Sequence, residues 1–332
     1  MAAIALRNPQ YKSDVADTGS PKSAKITISI DGTIQYTLVK STSLNETMLW
    51  EIAELCRDYI DIAFNGTYTA ETLAIISTLT SHASTDGSGT ALTTSTITDI
   101  GYDGYGTFME GANPTVPFGS RPTWLLSGDP DHTTADNEYY IYVPNSTAGS
   151  VPYIIANETM GYQSYGATDI EITGSPAGIK MNINRVDCTK YGDGHKVTFV
   201  NKFGALQDLW FFLKSVNTTN KKQEQFQRNI VTSSGSYSVN THTKQDYNTV
   251  ANTSLTLSSG YYPEWCNQWF EQLLLSEQVW LTRAKETDPS TNEVIPVNVR
   301  KNNIVKKTSL NDKLIDYTFD FNMSFDYINN IR

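Results

Sequence analysis

From Ile315 to Tyr327 every second residue is apolar: Ile315, Tyr317, Phe319, Phe321, Met323, Phe325 and Tyr327 alternate with Asp316, Thr318, Asp320, Asn322, Ser324 and Asp326. Side chains of a strand point alternately to its two faces, so an unbroken period of two fits a strand buried on one side and fits no helix. At about 3.3 Å per residue such a strand runs roughly 40 Å, beyond the usual length of about five or six residues. The expectation is a strand that protrudes past its own domain or joins a sheet shared between subunits, with Tyr317, Phe319, Phe321, Phe325 and Tyr327 as assembly contacts. The aspartates on the polar face act against edge-to-edge aggregation.

Alternation also marks the N-terminal part. Ile26, Ile28 and Ile30 stand between polar residues, Asp31-Gly32 follows, and Ile34, Tyr36 and Leu38 resume the pattern. Asp-Gly tolerates the positive φ angles of a type I′ turn, which predicts a β-hairpin. Ser43-Leu44-Asn45-Glu46 has capping-box form, and Leu49, Ala53, Cys56 and Ile60 fall three or four residues apart, predicting a helix from about Glu46 to Ile62. Residues 1–24 are polar, with Gly19 and Pro21, and read as an extended N-terminal arm. Hairpin and helix fill 25–65 as the first part of an N-terminal β domain.

Over residues 66–178 Gly, Ser, Thr and Tyr dominate, with strand-like runs at Thr94 to Ile100, Thr123 to Leu126, Tyr139 to Val143 and Tyr153 to Ile155. This predicts a loop-rich β region, inserted as a domain between two more regular halves. Its Gly101-Tyr102-Asp103-Gly104-Tyr105-Gly106 stretch offers Tyr102 and Tyr105 as a surface-binding loop, because tyrosine gives flat amphipathic contact at low entropic cost. A turn-rich connection is the plainer reading of the same residues. Residues 179–332 are expected to form a C-terminal β-sandwich-like domain, with strands at Ile179 to Val186, Lys196 to Val200 and Leu209 to Val216. Trp210-Phe211-Phe212-Leu213 is apolar on both faces and so should lie at the centre of a sheet. A helix over 263–275 gathers Trp265, Cys266, Trp269, Phe270, Leu273 and Leu274 into one stripe. A strand at Val279 to Thr282 and a hairpin-like pair through Val294 to Val305 follow. The fold class is mainly β: β-sandwich-like domains each with a packed helix, plus the loop-rich β insertion.

A net charge of -10 repels phosphate backbones, so no nucleic acid is expected as partner. The densest basic group, Arg300, Lys301, Lys306 and Lys307, reads as a solvated turn. Cys56, Cys188 and Cys266 are too few and too scattered for a disulfide framework or a zinc site. Neither a secretory apolar run nor a stretch of about 18 apolar residues occurs, so synthesis and folding in a cytoplasm, without membrane insertion, are expected.

Chemistry is sparse. His82, His132, His195 and His242 stand in turns or at strand edges, with no nucleophile elbow or papain-type cysteine beside them. Asp129-Pro130-Asp131-His132 with Asp136 is the densest set of hard-metal ligands, but it lacks the glycine and terminal glutamate of an EF-hand. Gly87-x-Gly89 and Gly104-x-Gly106 lack the strand and helix that a phosphate-cradling loop requires. No catalytic residue, metal or cofactor is expected.

The run Lys196-Val197-Thr198-Phe199-Val200-Asn201-Lys202-Phe203-Gly204-Ala205-Leu206-Gln207-Asp208-Leu209-Trp210-Phe211-Phe212 resembles virion structural proteins of tailed bacteriophages. The likeness continues through Trp265 and Trp269, Pro296-Val297-Asn298-Val299 and the terminal alternating strand, and includes Trp50 to Ile60; it covers mainly residues 25–62 and 180–328. It implies a non-enzymatic virion component of tail, baseplate or neck. Its partners would be other virion proteins and copies of itself, met through arms and β-augmentation. The alternative is a receptor- or glycan-binding fibre, spike or collar protein that meets a host-surface glycan through the Gly/Tyr-rich middle.

Overall fold

A computed structural model describes every residue except 1, 16–20, 44, 70–73, 86–87, 116–121, 128–137, 146, 156–159, 173–178, 188–193, 286–287, 307, 309–312 and 329–332. The Cys188, Lys307 and Asp129-to-Asp136 readings lie outside the described residues. The protein is mainly β.

The N-terminal half contains β1 (Ala3–Ala5), β2 (Tyr11–Val15), β3 (Ser23–Ile30), β4 (Thr33–Ser41), β5 (Thr47–Glu51), α1 (Ala53–Arg57), β6 (Ala74–Ala83) and β7 (Ala91–Tyr102). Asp31 and Gly32 have φ of 50° and 80°, as a type I′ turn requires, and the β3–β4 hairpin forms as expected. A five-stranded sheet runs β1-β7-β6-β3-β4. Its inner face, with Ile26, Ile28, Ile30 and Ile76, packs on Met48, Trp50, Ile52, Ala53 and Cys56. Each such aliphatic side chain contributes about 1.5–3 kcal/mol when fully buried.

Two expectations fail here. The N-terminus is no free arm: Ala3, Ile4, Ala5 and Leu6 are buried, β1 pairs in parallel with β7, and β2 pairs with β5. An apolar run of this kind gains more by closing a sheet than by hanging in water. The predicted helix from Glu46 shrinks to α1, because Met48, Trp50 and Ile52 also have strand period and find Tyr11–Val15 to pair with. The capping-box residues close a turn instead: Ser43 N–H donates to Glu46 Oε2 at 2.7 Å, and Glu46 N–H donates to Ser43 O at 3.2 Å.

The middle supplies β8 (Thr123–Trp124), β9 (Glu138–Pro144), β10 (Gly149–Ile154), β11 (Met160–Tyr165), β12 (Ile170–Ile172) and β13 (Ile179–Val186). The sheets β11-β10-β8 and β12-β13-β9 have no core of their own. Trp124, Tyr139, Ile141, Val143, Val151 and Met181 share one core with Val197, Phe199 and Phe211. With β6 and β7 claimed by the first sheet, the region expected as an inserted domain is divided between the two halves.

The C-terminal half holds β14 (His195–Val200), β15 (Leu206–Phe211), β16 (Ser215–Gln227), β17 (Lys244–Ser258), β18 (Tyr262–Pro263), α2 (Asn267–Leu275), β19 (Val279–Lys285), β20 (Asp288–Val299), β21 (Leu314–Ile315) and β22 (Thr318–Met323). Seven strands run β15-β14-β19-β20-β22-β17-β16. α2 follows a 3-10 turn at Glu264–Cys266 and lays Trp269, Phe270 and Leu273 on the sheet, as its stripe predicted. β15 is an edge strand, not a central one. Its two-sided burial comes from neighbouring elements: Phe211 meets Phe319 and Phe321 at 6.0 and 5.8 Å on one side, and the Tyr262 hydroxyl donates to Trp210 O at 2.8 Å. The pair expected through Val294 to Val305 is likewise corrected: β20 ends at Val299, lies between β19 and β22, and no strand covers 300–306.

Candidate assembly surface

The residues proposed for assembly in the terminal strand divide in two. Phe319 and Phe321 are fully buried and Tyr317 is nearly so, among Phe211, Phe270 and Leu257. They are core, not contact residues. The ladder also breaks at Asp316 and Tyr317, where Tyr317 N–H donates to Ser259 Oγ at 2.9 Å and the chain crosses from β21 to β22. Only Phe325 and Tyr327, 49% and 71% exposed, reach the surface. They border a cleft of about 370 Å³ with Asn217, Thr253 and Arg283.

The Gly/Tyr loop is corrected as well. Tyr102 is 1% exposed and packs with Ala3, Leu125, Ile154 and Met160. Tyr105 is half-buried under the Arg7 guanidinium, 5.2 Å from its ring centre, and burial pushes its hydroxyl up to about 12. The loop is a junction between the halves. A Cβ on Gly104 would stand 2.6 Å from Lys202 O, so only glycine lets the two backbones cross this closely.

Charge and hydrogen bonds lock the same junction. Glu277 accepts from Arg57 Nη2 at 2.6 Å and from Arg7 Nη2 at 3.1 Å, while Arg57 Nε donates to Asp103 Oδ1 at 2.7 Å. The Arg57 hydrogen bond, followed by Arg7, holds the Glu277 carboxyl below its ordinary range. A depressed carboxylate stabilises the fold above its unfolded pKa, near 4, and loses that contribution as pH falls from there through its own lower folded value. Glu277→Gln should therefore flatten part of the stability loss between about pH 5 and 3, read by urea unfolding across pH. Elsewhere, Asp208 accepts from Thr198 Oγ1 at 2.6 Å and from the Tyr68 hydroxyl, with Lys196 Nζ 3.6 Å away. The paired charges fasten residues 60–68 to the outer face of the seven-stranded sheet.

Among the described residues, His82, His195 and His242 assemble no triad. His82 pairs through Nε2 with Asp14 Oδ2 at 2.9 Å. Burial and then Arg283 lower the His195 pKa, and His242 is exposed. Among the described residues no group of three or more His, Cys, Asp or Glu could hold a metal ion, and no helix is long and apolar enough to cross a membrane. Cys56 is buried and its thiol pushed up to about 12, mainly by desolvation.

The outstanding surface is one that sequence periodicity missed. β16 and β17 pair from Ser215↔Leu257 out to Gln227↔Lys244, but β22 accompanies β17 only over Ser254–Ser258. Beyond Thr253 the segment after β22 still holds β17 through Tyr327 N–H, which donates to Ala251 O at 2.7 Å; from Val250 outward, among the described residues, the two strands continue alone for roughly 20 Å at about 3.3 Å per residue. Every residue of β16 is exposed. A bulge between Lys222 and Glu224, with Asn248 at φ 49°, twists the ribbon midway. Beyond it Phe226 and Tyr247 pack edge to face at 5.6 Å while remaining open to solvent. The tip turns through Gly235 at φ 77° and exposes Val231, Tyr237 and Val239. The sequence signal was Ser-Ser-Gly-Ser at the midpoint of a Thr/Asn/Gln-rich stretch; no apolar alternation flags a ribbon that buries neither face. Comparison with protein-family models, curated proteins and solved structures finds no match to this chain.

Proposed function

We propose that the protein is a non-enzymatic structural subunit of a tailed-bacteriophage virion, working in its tail, baseplate or neck by docking on neighbouring chains. The observation that carries this reading is the β16–β17 arm. A two-stranded ribbon in water is at best marginally stable and becomes independently stable on gaining a third strand or a packed surface. Here its outer part, past the Tyr327–Ala251 hydrogen bond, extends with both edges open and aromatic side chains partly uncovered, an arrangement that gains by meeting a partner. The phage setting is supported by the resemblance of residues 196–212 to virion proteins. Glycan contact through Tyr102 and Tyr105 has no comparable support, since neither ring is free.

The test is incorporation into particles. A chain carrying Phe226→Ser and Tyr247→Ser should keep its melting temperature, because both side chains lie outside the core, yet enter particles at least tenfold less than the unaltered chain. Undiminished incorporation contradicts the role given to the arm.

A further inference from the structure

We infer that the partner of the β16–β17 arm is the acidic body of a second copy of this chain, a contact of basic arm on acidic body; the inference rests on the assembly reading above. Residues 217–253 carry four cations, Lys221, Lys222, Arg228 and Lys244, against two carboxylates, Glu224 and Asp246. The arm is thus net +2 on a chain of net -10, which leaves -12 on the body. The arm's own carboxylates are already engaged: Asp246 faces Lys221 at 3.4 Å and accepts from Gln225, and Glu224 accepts from the Tyr247 hydroxyl. Lys222, Arg228 and Lys244 have no ion-pair partner among the described residues.

Two physical consequences follow. Like-charged arms repel, and lysines on an open edge strand discourage arm-to-arm pairing. Exposed body carboxylates such as Glu54, Asp58 and Asp61, which no described cation pairs, attract the arm. The body's own field opposes a phosphate backbone as competitor. Arm and acceptor are therefore different patches, so the contact closes a ring or a reciprocal dimer according to the rotation between copies.

The test mixes two purified chains: the intact protein, and one in which 219–253 are replaced by Asn-Gly joining Thr218 to Ser254, residues already opposite one another. By light scattering the intact chain should self-associate and dissociate at least tenfold more readily when salt is raised from 0.05 to about 1 M, where charges are screened beyond about 3 Å. The shortened chain alone should stay monomeric, yet a tagged intact chain should capture it, since it keeps the acceptor. Lys221→Glu, Lys222→Glu, Arg228→Glu and Lys244→Glu together should abolish association; the matching Lys→Arg changes should retain it. Self-association without capture of the shortened chain means arm-to-arm pairing and overturns the inference. So does a chain that stays monomeric while its arm binds single-stranded DNA or another virion protein. If the shortened chain enters particles normally, the assembly reading itself falls; if incorporation is lost without self-association, only the choice of partner does.

Discussion

Phe321→Asp is expected to leave the C-terminal half without a cooperative thermal transition. The ring is fully buried and packs edge-on against Phe211 at 5.8 Å and stacked beside Phe319 at 6.2 Å, in the middle of the largest core. Losing such a ring alone costs about 3–5 kcal/mol. Burying an unpaired carboxylate in its place adds several kcal/mol more, against a total stability of about 5–15 kcal/mol for a domain. The contrast lies four residues on in the same alternating stretch: Phe325→Asp, at a half-exposed position, should change stability by no more than about 0.5 kcal/mol. Equal melting temperatures for the two variants would contradict the assignment of Phe321 to the core.

Removing the arm should have the opposite profile. Replacing 219–253 by Asn-Gly takes away residues that are exposed or half-exposed and keeps Leu255, Leu257 and the β17–β22 ladder over Ser254–Ser258. No large core side chain is lost, and a shorter loop costs less closure entropy. The melting temperature should stay within a few degrees of the intact chain, since about 1 kcal/mol corresponds to roughly 2–4 °C in a domain of about 150–250 residues and to less in a larger one. Incorporation into particles should nevertheless be lost altogether. A large fall in melting temperature would mean that the ribbon stabilises its own body, and its exposure would then need another explanation.

Periodicity was readable wherever one face of an element is buried on its own body. Ile26, Ile28 and Ile30, the α2 stripe and Ile315 to Met323 all point their apolar residues inward, and the Asp31-Gly32 turn forms as its residues require. Ambiguity entered where two periods overlie one another. Leu49, Ala53, Cys56 and Ile60 fit a helix, while Met48, Trp50 and Ile52 fit a strand; the choice is made by Tyr11–Val15, far away in sequence. Trp210 to Phe212 misled for a related reason, since burial on both faces arises as readily under neighbouring sheets as at a sheet centre. The proposed assembly site was the least legible feature. The long terminal strand drew attention because it is apolar, but its apolar residues are satisfied at home, whereas the arm that leaves the body is polar and has no period to detect.

The most direct measurement is an image of the intact assembly by electron cryo-microscopy at a resolution that traces the chain. Residues 215–258 should be ordered against a neighbouring copy, with Phe226 and Tyr247 covered and Lys222, Arg228 and Lys244 facing its carboxylates. An arm standing free in solvent, with the subunits joined through other surfaces, would contradict this.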